Sequence, residues 1–435
     1  MAIAKRNLRR VVGLMRARLP EAQLEALTDV RQPRGRRWKN LGALVRLTLV
    51  AMLSGRKSFA EAEALSDEMA LPMRRELGLG RRVPDTTLRT SVSKLEPKDL
   101  RASLRAQVRA AHRRKALAPL GLPFGEVAID GKSTALGAWD DTYAQRQPHS
   151  SGPGASGILR TLTASLVSSR AKVCLDANPI PPSTNEMGHF AAALKELLEA
   201  YQGLKLFRLI STDAGMCSQA HGALIAQTYK LHYLFGLKGD QPTLYSEAQR
   251  LLGRRRAPQA QTVDVVGKCT VTRQLYLTEE LAGYLDWTHL QTVVRVHTEK
   301  HDTDTGALVE HEDHYYLSSL PSAELSPEQW LLVVRRHWGV ENECHNTWDK
   351  IFREDDRPWF VSGQDAPKGA LVVLLLRRIA YNILALFRSV TQRSEDKRQM
   401  PWNDLLRWVY NTFIAASASD LQGLRRRQLQ AASVI

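Results

Sequence analysis

The sequence predicts an α/β protein in which a strongly basic, all-helical segment precedes a mixed sheet carrying acids at its strand ends. Two apolar runs stop at a carboxylate, Val127-Ala128-Ile129-Asp130 and Leu209-Ile210-Ser211-Thr212-Asp213. Each reads as a buried strand with an acid at the mouth of a sheet. A third acid, Glu341, lies far downstream in Arg336-His337-Trp338-Gly339-Val340-Glu341, a stretch predicted to be a helix passing under those strand ends. Three converging acids suit a pair of divalent metal ions acting on a phosphodiester.

Charge supports a polyanionic partner. The 435 residues carry a net +16, yet residues 1–119 hold 27 Lys plus Arg against 11 Asp plus Glu, and the remainder holds 34 of each sign. The whole excess therefore sits in the first quarter, as expected when one part holds nucleic acid and another does chemistry on it.

In residues 1–119, apolar positions recur at helical spacing in Leu41 to Leu53 and Leu100 to Ala111. Pro84-Asp85-Thr86 marks a helix start with Asp85 or Thr86 as cap. Arg101, Arg105, Arg109 and Arg113 recur every four residues and align on one helix face. That row suits DNA phosphates or a solvated face. The loop holding Arg31, Arg34, Arg36, Arg37 and Lys39 around Trp38 favours phosphates, because five cations beside Pro33 and Gly35 do not build a core.

From Gly125 the pattern turns to strands: Val127 to Asp130, Leu159 to Ser168 and Ala171 to Ala177. A helix follows at Asn185 to Tyr201, then the Asp213 strand, a helix at Gln219 to Tyr229 and a strand at Tyr233 to Leu237. This order is that of an RNase H-like sheet. Strand-rich residues 263–320 read as an inserted β subdomain. The expected organisation is thus a DNA-binding domain (1–119), a first core part (120–262), the insertion (263–320), a second core part with the glutamate helix (321–390) and a helical tail (391–435).

Cys174, Cys217, Cys269 and Cys344 form no CxxC pair, which speaks against a zinc ribbon or a disulfide framework. Arg46 interrupts the apolar run 43–53 and Arg377-Arg378 the run 370–387, and no apolar leader follows Met1, so a soluble cytosolic protein without membrane contact is expected.

Several ordered motifs resemble a known family: Ala128-Ile129-Asp130-Gly131-Lys132, Ser183-Thr184-Asn185-Glu186, Thr212-Asp213-Ala214, Leu237-Lys238-Gly239-Asp240-Gln241-Pro242 and Arg336-His337-Trp338 leading to Val340-Glu341-Asn342. Together they resemble the DDE-class insertion-sequence transposases of bacteria, in the branch with an H-repeat-associated N-terminal domain. The resemblance implies that Asp130, Asp213 and Glu341 are the catalytic triad and hold two magnesium or manganese ions. It also implies double-stranded DNA, both element ends and target, as partner, and action as at least a homodimer. Lys132 and Arg336 join the candidate DNA contacts, and Lys238 is either a phosphate contact or a surface lysine.

His337 and His345 stand four residues either side of Glu341 and either support the acid or pack. Trp338 either stacks on an unpaired base or belongs to the core. His337 and Trp348 occupy places where a broader related group carries Arg and a basic residue. Glu343 and Glu354 are rivals to Glu341, and Glu186 is possible support. An inactive DNA-binding remnant and a stand-alone RNase H-like nuclease are the alternative functions.

Overall fold

The computed structural model describes residues 5–422 except 32–37, 39, 152, 254–256, 362, 364 and 393. Arg34, Arg36, Arg37 and Lys39 therefore lie outside the described residues.

Before the first strand the described residues form the α-helices α1 (Lys5–Arg18), α2 (Leu41–Leu53), α3 (Phe59–Glu68), α4 (Leu71–Glu76), α5 (Asp85–Val92) and α6 (Pro97–Arg113). In α2, apolar residues cover every face, and all but Arg46 are buried; an all-round apolar helix belongs at the centre of a bundle. Asn40 caps it, accepting from the Ala43 N–H at 2.8 Å. The expected cap of α5 is not formed: Pro84 takes the cap position, with no side-chain cap, and Asp85 starts the helix.

The sheet comprises β1 (Glu126–Leu136), β2 (Ala144–Pro148), β3 (Ala155–Ser165), β4 (Cys174–Pro179), β5 (Leu209–Thr212), β6 (His232–Leu237), β7 (Ala260–Val266), β8 (Cys269–Thr278), β9 (Thr292–Asp302) and β10 (Leu308–Ser318). Their order is β2-β3-β1-β5-β6-β10-β9-β8-β7, with β4 also paired to β3. Here the structure departs from the expected insertion. Its strands extend the same sheet, because β10 runs antiparallel to β6.

Between and after the strands lie α7 (Glu186–Ala200), α8 (Gln219–Ala223), α9 (Pro242–Leu252), α10 (Pro327–His337), α11 (Asn346–Lys350), α12 (Ala366–Leu386), α13 (Glu395–Arg398) and α14 (Trp402–Ala415). One sheet face buries Ile129, Ile210 and Phe235 against Phe190, Leu194 and Leu197 of α7. The other buries Leu209, Leu234 and Tyr316 against Trp330, Val333 and Val334 of α10. Such two-sided cover is what a sheet with parallel central strands requires.

α12 ties the halves together. It is long and apolar enough to cross a membrane, yet its apolar stretch is wholly buried within the protein, in one core with α1 to α6 and α14. Gln107 of α6 donates to the Ile379 carbonyl of α12 at 3.2 Å. The two arginines that interrupt its apolar run are themselves buried: Arg378 pairs in bidentate fashion with Glu354 at 2.7 and 2.8 Å and lies 3.4 Å above the Trp348 ring.

The first two arginines of the α6 row turn toward the sheet and are taken up inside the molecule, against the expectation that they track DNA, while Arg109 and Arg113 stay exposed. Arg101 makes a bidentate pair with Asp176 of β4 at 2.9 and 2.7 Å and meets Glu196 of α7 at 2.8 Å. Arg105 binds the same Asp176, and Arg109 donates from Nε to the Ala200 carbonyl at 2.9 Å. Asp176 is fully buried, yet the two guanidiniums hold its carboxyl below the ordinary range. The row is a joint between the helical segment and the sheet.

Candidate active site

Strand register places the first two acids. β1 and β5 are parallel, and Ile129 pairs with Thr212. Asp130 and Asp213 are the next residues on each strand, so they stand side by side where β5 stops. β1 itself does not end at Asp130, as expected, but runs on to Leu136 beside β3. Gly236 of β6 makes room for the turn after Asp213, since a Cβ there would come within 2.8 Å of the Ala214 nitrogen.

Glu341 arrives from below. α10 gives way after His337 to a widened, π-helical turn over Val340–His345. Val340 packs against Ala128 and Val167 beneath β1, which leaves Glu341 exposed and near Asp130. The widened turn also overturns the expectation that His337, Glu341 and His345 share one regular helix face. His337 instead lines a cavity of about 350 Å³ with Asp213, Lys238, Tyr245, His314 and Trp338. His345 lies against Asp130, its Nδ1 3.4 Å from Asp130 Oδ2.

The acids repel one another. Asp130 is only 9% exposed, and burial, followed by the charges of Asp213, Glu341 and Glu186, pushes its carboxyl up to about 7. Its Oδ1 accepts from the Gly131 N–H at 2.8 Å. Burial raises Asp213 as well, opposed by Lys238 and by the Met216 and Gly215 amides. The histidines offer no compensating charge: burial lowers His337 to about 4, and burial with Arg378 and Lys132 lowers His345 to about 3. Both are neutral at physiological pH.

The rival acids are occupied. Glu343 pairs with Lys172, and Glu354 is committed to Arg378. Two candidate DNA cations are also committed. Lys132 is buried and pairs with Asp349 at 2.7 Å and Asp355 at 3.2 Å, bracing the segment after the glutamate turn. Arg336 donates to the Leu120 carbonyl. Lys238 stays exposed beside Asp213. Trp338 donates from Nε1 to the Tyr316 hydroxyl at 3.0 Å and sits edge-on to His314, half-buried at the cavity wall.

Among the described residues no three His, Cys, Asp or Glu side chains close around a single ion position. The donor chemistry nevertheless fits a hard divalent cation: Asp130 and Asp213 lie side by side on the two central strands with Glu341 near them, and the repulsion at Asp130 calls for positive charge. Glu186, expected only as possible support at a helix start, is brought within electrostatic reach of Asp130 and Asp213.

This geometry is accompanied by a family match. Residues 163–360 match the Transposase DDE domain. The matched stretch includes Asp213 and Glu341 and begins after Asp130; it supports a DDE-class transposase, and such domains generally use divalent metals. No curated protein matches the chain. Among solved structures the chain is similar to a piggyBac transposase in a synaptic complex with hairpin DNA, at 14% identity and a TM-score of 0.43, over 97% of this chain and 81% of that one.

Proposed function

We propose that this protein is the transposase of a bacterial insertion sequence of the H-repeat-associated branch. In this reading it binds the element's terminal inverted repeats, cuts strands at the ends and joins the freed 3′-hydroxyls to target DNA, working as a dimer in the cytosol. One observation carries the proposal: Asp130 and Asp213 stand in register at adjacent parallel strands, with Glu341 held beneath them and, among the described residues, no cationic side chain set against Asp130, only the neutral His345 ring.

Two magnesium or manganese ions would supply an activated water or 3′-hydroxyl and would stabilise the leaving oxygen. Asp130, Asp213 and Glu341 are the residues that would hold them. Gly131 fixes one Asp130 oxygen through its N–H, and the neutral His345 ring confines the other. Lys238 is free to meet a phosphate beside Asp213. With Arg101 and Arg105 committed to Asp176, DNA contact falls to Lys238, to the exposed Arg109 and Arg113 end of α6 and to the basic loop at Arg34, Arg36, Arg37 and Lys39.

The test is a cleavage assay on a labelled duplex carrying the repeats that flank the coding region. Wild type should cut at the repeat boundary only with magnesium or manganese, and Asp130→Ala should bind but not cut. Binding by both proteins without cutting by either would favour an inactive remnant. Cutting indifferent to the repeat would favour a stand-alone nuclease.

A further inference from the structure

We propose that Glu186 is a fourth acidic ligand of the site, reaching it across the open backbone of Gly131. The inference rests on the metal-dependent reading above and adds a residue to it.

Local structure aims Glu186 with some care. The turn Pro181-Pro182-Ser183-Thr184 is closed by a hydrogen bond from the Thr184 N–H to the Pro181 carbonyl at 3.1 Å. Asn185 then caps α7 by accepting from the Gly188 N–H at 2.9 Å. The inward face of α7 is Phe190, Ala193, Leu194 and Leu197. Glu186 lies one turn before Phe190 on that face, so the sequence sets a carboxylate on the core stripe at the level where the sheet's apolar surface runs out.

Gly131 completes the arrangement. It neighbours Asp130 on β1, and any Cβ there would collide with the Glu186 carboxylate. A side chain at 131 would therefore close the route. Alternation along the strand turns Asp130 toward the glutamate turn, while Gly131 opens toward α7. Glu186 and Glu341 thus flank the Asp130–Asp213 pair from opposite sides of the sheet. Burial and the Asp213 charge raise the Glu186 carboxyl, and Arg160 is the cation that opposes them.

An acid in a first helical turn is also favoured by the helix dipole alone. That role needs neither the inward face nor a glycine opposite, and it makes no claim on a metal. Manganese binding to the full-length protein, followed by the loss of the free Mn²⁺ EPR signal, separates the two. Glu186→Gln keeps the shape and removes the charge, and it should weaken Mn²⁺ binding at least about tenfold, the scale seen when metal-site residues are altered. Gly131→Ala, which displaces the same carboxylate by crowding, should do likewise. Glu343→Gln, whose acid is committed to Lys172, should bind as wild type.

Undiminished binding by Glu186→Gln, with binding lost in Asp130→Asn, would overturn this inference and leave the proposed function standing. Binding equal in all variants, or absent from wild type, would overturn both.

Discussion

The α6 arginine row and the strand-end acids are both runs of like charge, and they are used in opposite ways. The cations of the row that turn inward arrive with partners, Arg101 and Arg105 with Asp176 and Glu196, and the exposed Arg109 rests on a carbonyl. The acids meet mainly one another, with Asp130 raised to about 7 and Lys238 the opposing charge at Asp213. Charge that has been neutralised internally builds the molecule. Charge gathered without compensation stores repulsion that a ligand of opposite sign can relieve, which is why the second cluster is read as the active site.

The largest expected effect falls on the acids. Asp213→Asn should cut strand cleavage at least about a thousandfold, the scale of losing several kcal/mol of metal-borne transition-state stabilisation. Folding should survive, since the substitution removes a repelled charge; a circular-dichroism melt beside the cleavage assay checks both halves. An active Asp213→Asn would erase the distinction between the two clusters.

The arginine row should show the reverse pattern. Asp176→Ala removes the buried partner of Arg101 and Arg105, leaving them only the more exposed Glu196, and should destabilise the fold by up to about 3–5 kcal/mol. In urea titrations its midpoint should fall, while the salt dependence of DNA binding stays as in wild type. If Arg101→Ala instead reduces that salt dependence with stability unchanged, the row contacts phosphate after all.

Acid should dissolve the joint first. Asp176 and Glu354 are both held below the ordinary carboxylate range by their arginines, against the opposing effect of burial. Their contribution is thus complete above the unfolded-state values of about 4 and is lost as pH falls through the lower folded-state values. Stability followed below pH 4 should drop less steeply in Asp176→Asn than in wild type, because that variant has already lost one such group.

The smallest effect belongs to Lys238. Lys238→Ala should weaken DNA binding about equally for all sequences and lower the slope of log affinity against log salt by about one. An unchanged slope would return Lys238 to the protein surface.

The sheet's centre was legible because apolar runs that stop at an acid constrain both strand and site. Ile129-Asp130 and Thr212-Asp213 fall in the same register position on adjacent strands. α2 and α6 were legible from their periodicity. Periodicity gives a face, however, and not what the face meets. Asp176, the partner that turns the arginine row inward, lies 75 residues from Arg101, in a strand whose sequence shows nothing of that contact. Four-residue arithmetic around Glu341 assumed a regular helix, and the π-helical turn sends His337 and His345 to different neighbours. The β insertion was visible as strands, but only the pairing of β10 with β6 reveals that they lengthen the main sheet. Glu186 was legible only as possible support, because a glutamate after Asn185 has an ordinary explanation at a helix start and its approach to Gly131 depends on packing.

The most direct measurement is a thermal melt of wild type and Asp130→Asn, each in chelator and in excess Mn²⁺. If the strand-end acids await a cation, Asp130→Asn melts at or above wild type in chelator, and Mn²⁺ stabilises wild type alone, by about 2.7 kcal/mol at a hundredfold excess over Kd. Equal stabilisation of both proteins by Mn²⁺, or none of either, would contradict the reading of these acids as a metal-dependent active site.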